Sequence, residues 1–146
     1  MKVLVLDSEP LSQLVHGGLR EAVVRAYLEA AQRRGYGIRV PAAVLAEQYR
    51  GGRFDQALDA FLAREEYVGP ERKPNGLKIA DTDKWLARYV GNLLAMAQRS
   101  SGDHVDACVV ATCMTNGGGY VLTTDEDDIP VLASNAIGVA IEVLKT

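Results

Sequence analysis

The spacing of apolar and polar positions changes character several times along the chain. Lys2 to Leu6, KVLVL, is a short β-branched and leucine run, the pattern of a strand buried on both faces, and it ends at Asp7. From Leu19 the apolar Leu19, Ala22, Val23, Ala26, Tyr27 and Ala30 recur at helical spacing with Arg20, Glu21, Arg25 and Glu29 between them. This predicts an amphipathic helix that stops near Gly35 and Gly37. GIRVP reads as a second strand, with Pro41 as the first residue of a helix over PAAVLAEQYR that Gly51 and Gly52 close. A further helix is predicted over RFDQALDAFLARE, then a loop at GPERKPNG, and the stretch from Val68 to Asp83 carries few other landmarks.

In DTDKWLARYVGNLLAMAQ the apolar pairs at 85/86, 89/90 and 93/94 keep a four-residue beat that only a helix provides. GDHVDACVVATCMTNGGG follows as a helix apolar on most sides and stopped by glycines. YVLTT and GVAIEVL supply two later strands. Strands alternating with helices predict a parallel sheet covered on both faces, with functional groups gathering at the carboxyl ends of strands where strand order reverses.

Composition narrows the class. A chain of 146 residues is expected to form one domain, and 48% hydrophobic with 24% charged residues is an ordinary globular balance. No apolar run approaches the roughly 20 residues of a membrane span, and MKVLVLD turns acidic where a signal peptide would stay apolar. The expectation is a cytoplasmic protein. Cys108 and Cys113 are not spaced as a metal pair and read as buried free thiols. The net charge of −3 argues against wholesale nucleic-acid binding, although arginines cluster locally at Arg33, Arg34 and Arg39, at Arg50 and Arg53, and beside Lys73 at Arg72. Each cluster also reads as a solvated face or loop.

Carboxylates carry the candidate chemistry. Asp7 follows the first strand and Asp125 follows YVLTT, so parallel strands would aim both at one edge of the sheet. Either could equally cap a following helix. Asp106 lies among Val105, Cys108, Val109 and Val110, where an ionised carboxylate costs several kcal/mol, order of magnitude, unless paired, and no neighbouring lysine or arginine serves it. Asp103 reads first as the aspartate favoured at a helix start. Glu47, alone, reads as a solvent-facing residue or a partner of Arg50. Brought together, Asp7, Glu47, Asp106 and Asp125 would repel by about 4 kcal/mol per pair at roughly 4 Å. An all-oxygen set of this kind suits Mg²⁺ or Mn²⁺ and phosphodiester hydrolysis.

With those residues identified, the chain resembles the PIN-domain nucleases, and among them the VapC-like toxins of toxin–antitoxin pairs. The resemblance is carried by VLVLDS, VPAAVLAEQYRG, VGNLLAMAQRSSGDHVDACVVA and YVLTTDEDDI, in that order over nearly the whole chain. It implies a single PIN domain over 1–146, an α/β three-layer fold with a mostly parallel sheet of four to five strands. It implies a Mg²⁺-dependent endoribonuclease, Mn²⁺ substituting, with an RNA substrate such as tRNA, a cognate VapB-like antitoxin and a homodimeric state. It places catalytic acids at Asp7, Glu47, Asp106 and Asp125, with Asp7, Asp106 and Asp125 on the metal, and supporting roles at Ser8, Asp103, Thr123 and Asp128. Alternatives are a non-catalytic RNA- or protein-binding module, or a processing nuclease without an antitoxin. His16 and His104 lack the partners of a zinc or histidine-based site, and Trp85 reads as core or dimer interface.

Overall fold

A computed structural model describes residues 2–68 and 76–146. Five strands form one sheet: β1 (Val3–Leu6), β2 (Gly37–Pro41), β3 (Leu77–Ala80), β4 (Gly119–Thr123) and β5 (Ile141–Lys145). Their order is β3-β2-β1-β4-β5 and every pairing is parallel. The helices are α1 (Ser8–His16), α2 (Glu21–Arg33), α3 (Ala42–Gln48), α4 (Gly52–Glu65), α5 (Lys84–Met96), α6 (His104–Thr115) and α7 (Asp128–Ser134). The α/β fold with a parallel sheet is the one the pattern predicts.

Strand parity separates the two faces. Leu4 pairs with Ile38 and Tyr120, and Leu4 and Tyr120 line a cleft with Tyr27 and Ala31 of α2. Val5 pairs with Arg39, which lines a different cleft with Leu86 of α5 and Asn116, just beyond α6. The central helix α6 packs on β1, β2 and β4 and against α5, and every residue from Ala107 to Cys113 is buried. That is why it lacks a polar face in sequence: it is covered on all sides. Both cysteines are free and buried in it.

Gly119 is required at the start of β4. Its φ is +139°, and a Cβ there would lie 2.1 Å from the Val3 carbonyl oxygen. The glycine run therefore stops α6 and also lets β4 approach β1.

Several elements differ from the expectations. Helix α1 is not marked by pattern, because its buried face is only Pro10, Leu11 and Leu14. Strand β3 is four residues at the sheet edge, too short for a period to show. Helix α7 grows out of the acidic stretch. Pro41 closes β2 and caps α3 rather than opening it. Trp85 is 67% exposed, so it is not core of this chain. Arg39 is buried rather than part of a solvated face. The loop residues 69–75, including Arg72 and Lys73, lie outside the described residues. Among the described residues no helix is long and apolar enough to cross a membrane.

Candidate active site

Strand order reverses between β1 and β4: the chain adds β2 and β3 on one side, then β4 and β5 on the other. A crevice at the carboxyl ends of these two strands is the position where such sheets bind ligands. Asp7 leaves β1 there, with its backbone N–H donating to the Leu122 carbonyl at 3.0 Å and its carbonyl accepting from Leu11 of α1. The residue is thus locked at a strand-to-helix junction, 8% exposed.

Its side chain is tied across the reversal. Thr123, fully buried at the end of β4, donates its hydroxyl to Asp7 Oδ2 at 2.6 Å. The same Thr123 oxygen accepts from the Asp125 backbone N–H at 2.9 Å. One hydroxyl therefore links both aspartates. Burial pushes the Asp7 carboxyl above its usual range. The Thr123 and Ser8 hydrogen bonds oppose this shift, and the charges of Glu47 and Asp125 add to it.

Asp125 serves two purposes. Its Oδ1 accepts from the backbone N–H groups of Asp127 and Asp128, and its Oδ2 from that of Ile129 at 3.2 Å, so it caps the start of α7. A carboxylate offers about four lone-pair positions, so Oδ2 retains one for another ligand. The capping role and the convergent-edge role, open from sequence, both hold. Glu126 and Asp127 are exposed, and Glu126 pairs with Lys145.

Glu47 lies near the end of α3 and accepts from the Ser8 hydroxyl at 2.5 Å, while Gln48 donates to the Ser8 carbonyl. Arg50 turns instead to the Ala46 and Tyr49 carbonyls, so the Arg50 partnership does not form. Ser8 thus anchors the glutamate beside Asp7.

Asp106, in the first turn of α6, takes no hydrogen bond or ion pair among the described residues. Its carboxyl is pushed up to about 7, first by burial and then by the charges of Asp7, Asp125, Asp128 and Asp103. The sequence-marked aspartates therefore all act on Asp106 at this edge, while Glu47 acts on Asp7. Asp103, Asp106 and Asp128 bring carboxylate oxygens within 4.8 Å of one another, close enough to hold a metal ion. Among the described residues Asp7, Asp106 and Asp125 form no such trio.

Arg99 carries no signal in the sequence pattern that marks it for the site. It donates to Asp128 Oδ1 at 2.7 Å and stands 3.8 Å from Asp103 Oδ2. The four-residue spacing to Asp103 is visible in sequence; the approach of Asp128, brought in by α7, is not.

The donor chemistry fits a hard divalent cation: oxygen ligands only, an unpaired half-buried carboxylate, and like charges crowded enough to raise two pKa values.

No protein-family model and no curated protein matches the chain. Solved structures do. A chain of the VapBC2 complex of Rickettsia felis, bound to a DNA fragment from its promoter, superposes with a TM-score of 0.64 at 16% identity, over 97% of this chain and 98% of that one. A chain of FitAB bound to the IR36 DNA fragment gives 0.60 at 16% identity, over 97% and 94%. With five parallel strands and seven α-helices among the described residues, and this end-to-end superposition, the chain has the PIN-like α/β fold that the sequence resemblance implied.

Proposed function

We propose that the chain is a toxin-type, Mg²⁺-dependent endoribonuclease of the cytoplasm, held in check by a VapB-like antitoxin. The observation that carries this reading is the pair of aspartates joined through the Thr123 hydroxyl at the sheet's reversal point, facing the unpaired Asp106.

Asp7, Asp106 and Asp125 would hold the ion. When bound, Mg²⁺ neutralises charge developing on the phosphate and lowers the pKa of a water. The chain's own residues do the rest. Thr123 ties down one oxygen of Asp7, and the α7 amides hold the Asp125 carboxylate in place. Glu47, oriented by Ser8 and exposed to solvent, is placed to accept a proton from the attacking water. Asp106 must release its own proton before it can hold a cation, which makes it the pH-sensitive member.

Two sets of exposed apolar residues support partners of the kind proposed. Leu19, Val23 and Phe54 are exposed around α1, α2 and α4, with His16 packed edge-on against Phe54. Exposed apolar side chains of this kind suit an antitoxin segment. Trp85, Tyr89 and Met96 are exposed along α5 and suit a homodimer contact. Two neighbours of the same fold are VapBC2 and FitAB assemblies, which adds weight to an antitoxin.

The test is RNA cleavage by the purified chain with Mg²⁺. Cutting of a structured RNA such as tRNA, lost with EDTA and with Asp7→Asn, is expected. Metal-independent cutting, or an active Asp7→Asn variant, refutes the mechanism.

A further inference from the structure

Arg99 is a cation inside an acidic cluster, and the backbone holds it there. Helix α5 ends in a Schellman turn: the Gln98 N–H donates to the Ala95 carbonyl and the Arg99 N–H to the Leu94 carbonyl at 2.8 Å. The left-handed position of that turn normally falls to glycine. Here Gln98 takes it with φ at 55°, the one non-glycine residue with positive φ among those described. The turn aims Arg99 at the start of α6, where Asp103 and Asp106 lie, and at Asp128, which opens α7. The cluster therefore has two sides. On one, Asp7, Glu47 and Asp125 are fixed by Thr123, Ser8 and backbone amides and meet no basic side chain among the described residues. On the other, Asp103 and Asp128 share the Arg99 guanidinium. Asp106 stands between.

We infer that Arg99 takes the place of a second metal ion: it occupies the Asp103/Asp128 side of the cluster, so the centre accepts one divalent cation, on the Asp7 side. This rests on the metal-centre reading above. The attraction that draws Arg99 to the two carboxylates repels a dication from the same oxygens, and a guanidinium stays charged at any accessible pH. Asp103, Asp106 and Asp128 are spaced to hold an ion by themselves, so neutralising Arg99 opens a second position. Arg99 is a positioning residue in this scheme.

The experiment counts Mn²⁺ on the full chain by calorimetric titration and by electron paramagnetic resonance, at pH 8. The parent is expected to bind one ion, Arg99→Lys one, and Arg99→Met and Arg99→Gln two, with spin coupling between neighbouring ions. A purely structural ion pair would change stability without changing the count. A parent that binds two, or neutral variants that stay at one, overturns the inference alone. A parent that binds none overturns it together with the metal centre. Asp128→Asn and Asp7→Asn give a second route if the arginine variants fail to fold. The first is expected to keep the ion and the second to lose it, and the reverse result refutes the assignment.

Discussion

Asp106→Asn should make the metal-free protein more stable, which is the reverse of what removing a structural acid does. Asp106 is half-buried among like charges, with its carboxyl raised from 3.8 to about 7. A shift of that size corresponds to about 4 kcal/mol of unfavourable interaction in the ionised form, and partial exposure with salt screening lowers this to roughly 2 kcal/mol. The sign follows from proton counting. Between 3.8 and about 7 the folded chain keeps a proton on Asp106 that the unfolded chain has released, so parent stability falls as pH rises through that window. Asparagine has no proton to lose. In EDTA at pH 8 the variant should melt about 6 °C above the parent, taking roughly 3 °C per kcal/mol for a chain of this size. At pH 5 less than half of that advantage should remain. Added Mn²⁺ should then raise the parent's melting temperature at pH 8 and leave the variant's unchanged. Thermal unfolding followed by circular dichroism measures all three. A variant less stable than the parent at pH 8, or a gap that does not change between pH 5 and 8, refutes the reasoning.

Other perturbations test the supports around this site. Thr123→Val removes the 2.6 Å bond to Asp7 and the acceptor for the Asp125 amide, which should cost about 1–3 kcal/mol in denaturant melts. Because that bond lowers the Asp7 pKa, the acid limb of Mn²⁺ binding should also move to higher pH, and an unmoved limb counts against the linkage. Ser8→Ala should lower the rate of RNA cleavage with little change in Mn²⁺ affinity, since it removes the hydroxyl that holds Glu47 and keeps the backbone N–H that bonds Asp7. Gln98→Gly should stabilise the chain by about 0.5–1 kcal/mol by relieving the left-handed position, measured by urea midpoint. Gly119→Ala should destabilise it by roughly 3 kcal/mol or more, because its Cβ has no room beside Val3 and its φ is unsuited to alanine.

Apolar patterning marks β1, β2, β4 and β5, together with α2 through α6: α2 to α5 present apolar residues at helical spacing, while the strands and α6 show as nearly unbroken apolar runs. It leaves out α1, β3 and α7. Their buried faces are only a few residues wide, and it is the neighbouring layers that complete them. Chemistry is legible in the same uneven way. Aspartates placed directly after strands, and one set inside an apolar helix, are local features, so Asp7, Asp106 and Asp125 stand out from the amino-acid pattern alone.

Their partners do not stand out. The hydroxyl of Thr123 reaches Asp7 across 116 positions of sequence, Ser8 reaches Glu47 across 39, and Arg99 reaches Asp128 across 29. The first exists because the sheet reverses its order between β1 and β4, which places their carboxyl ends side by side; the second comes from α1 packing on α3, and the third from α7 bringing Asp128 to Arg99. Sequence decided which residues could ionise and which segments would be buried. Tertiary structure decided which charges meet, which are neutralised by Arg99, and which one, Asp106, is left unpaired.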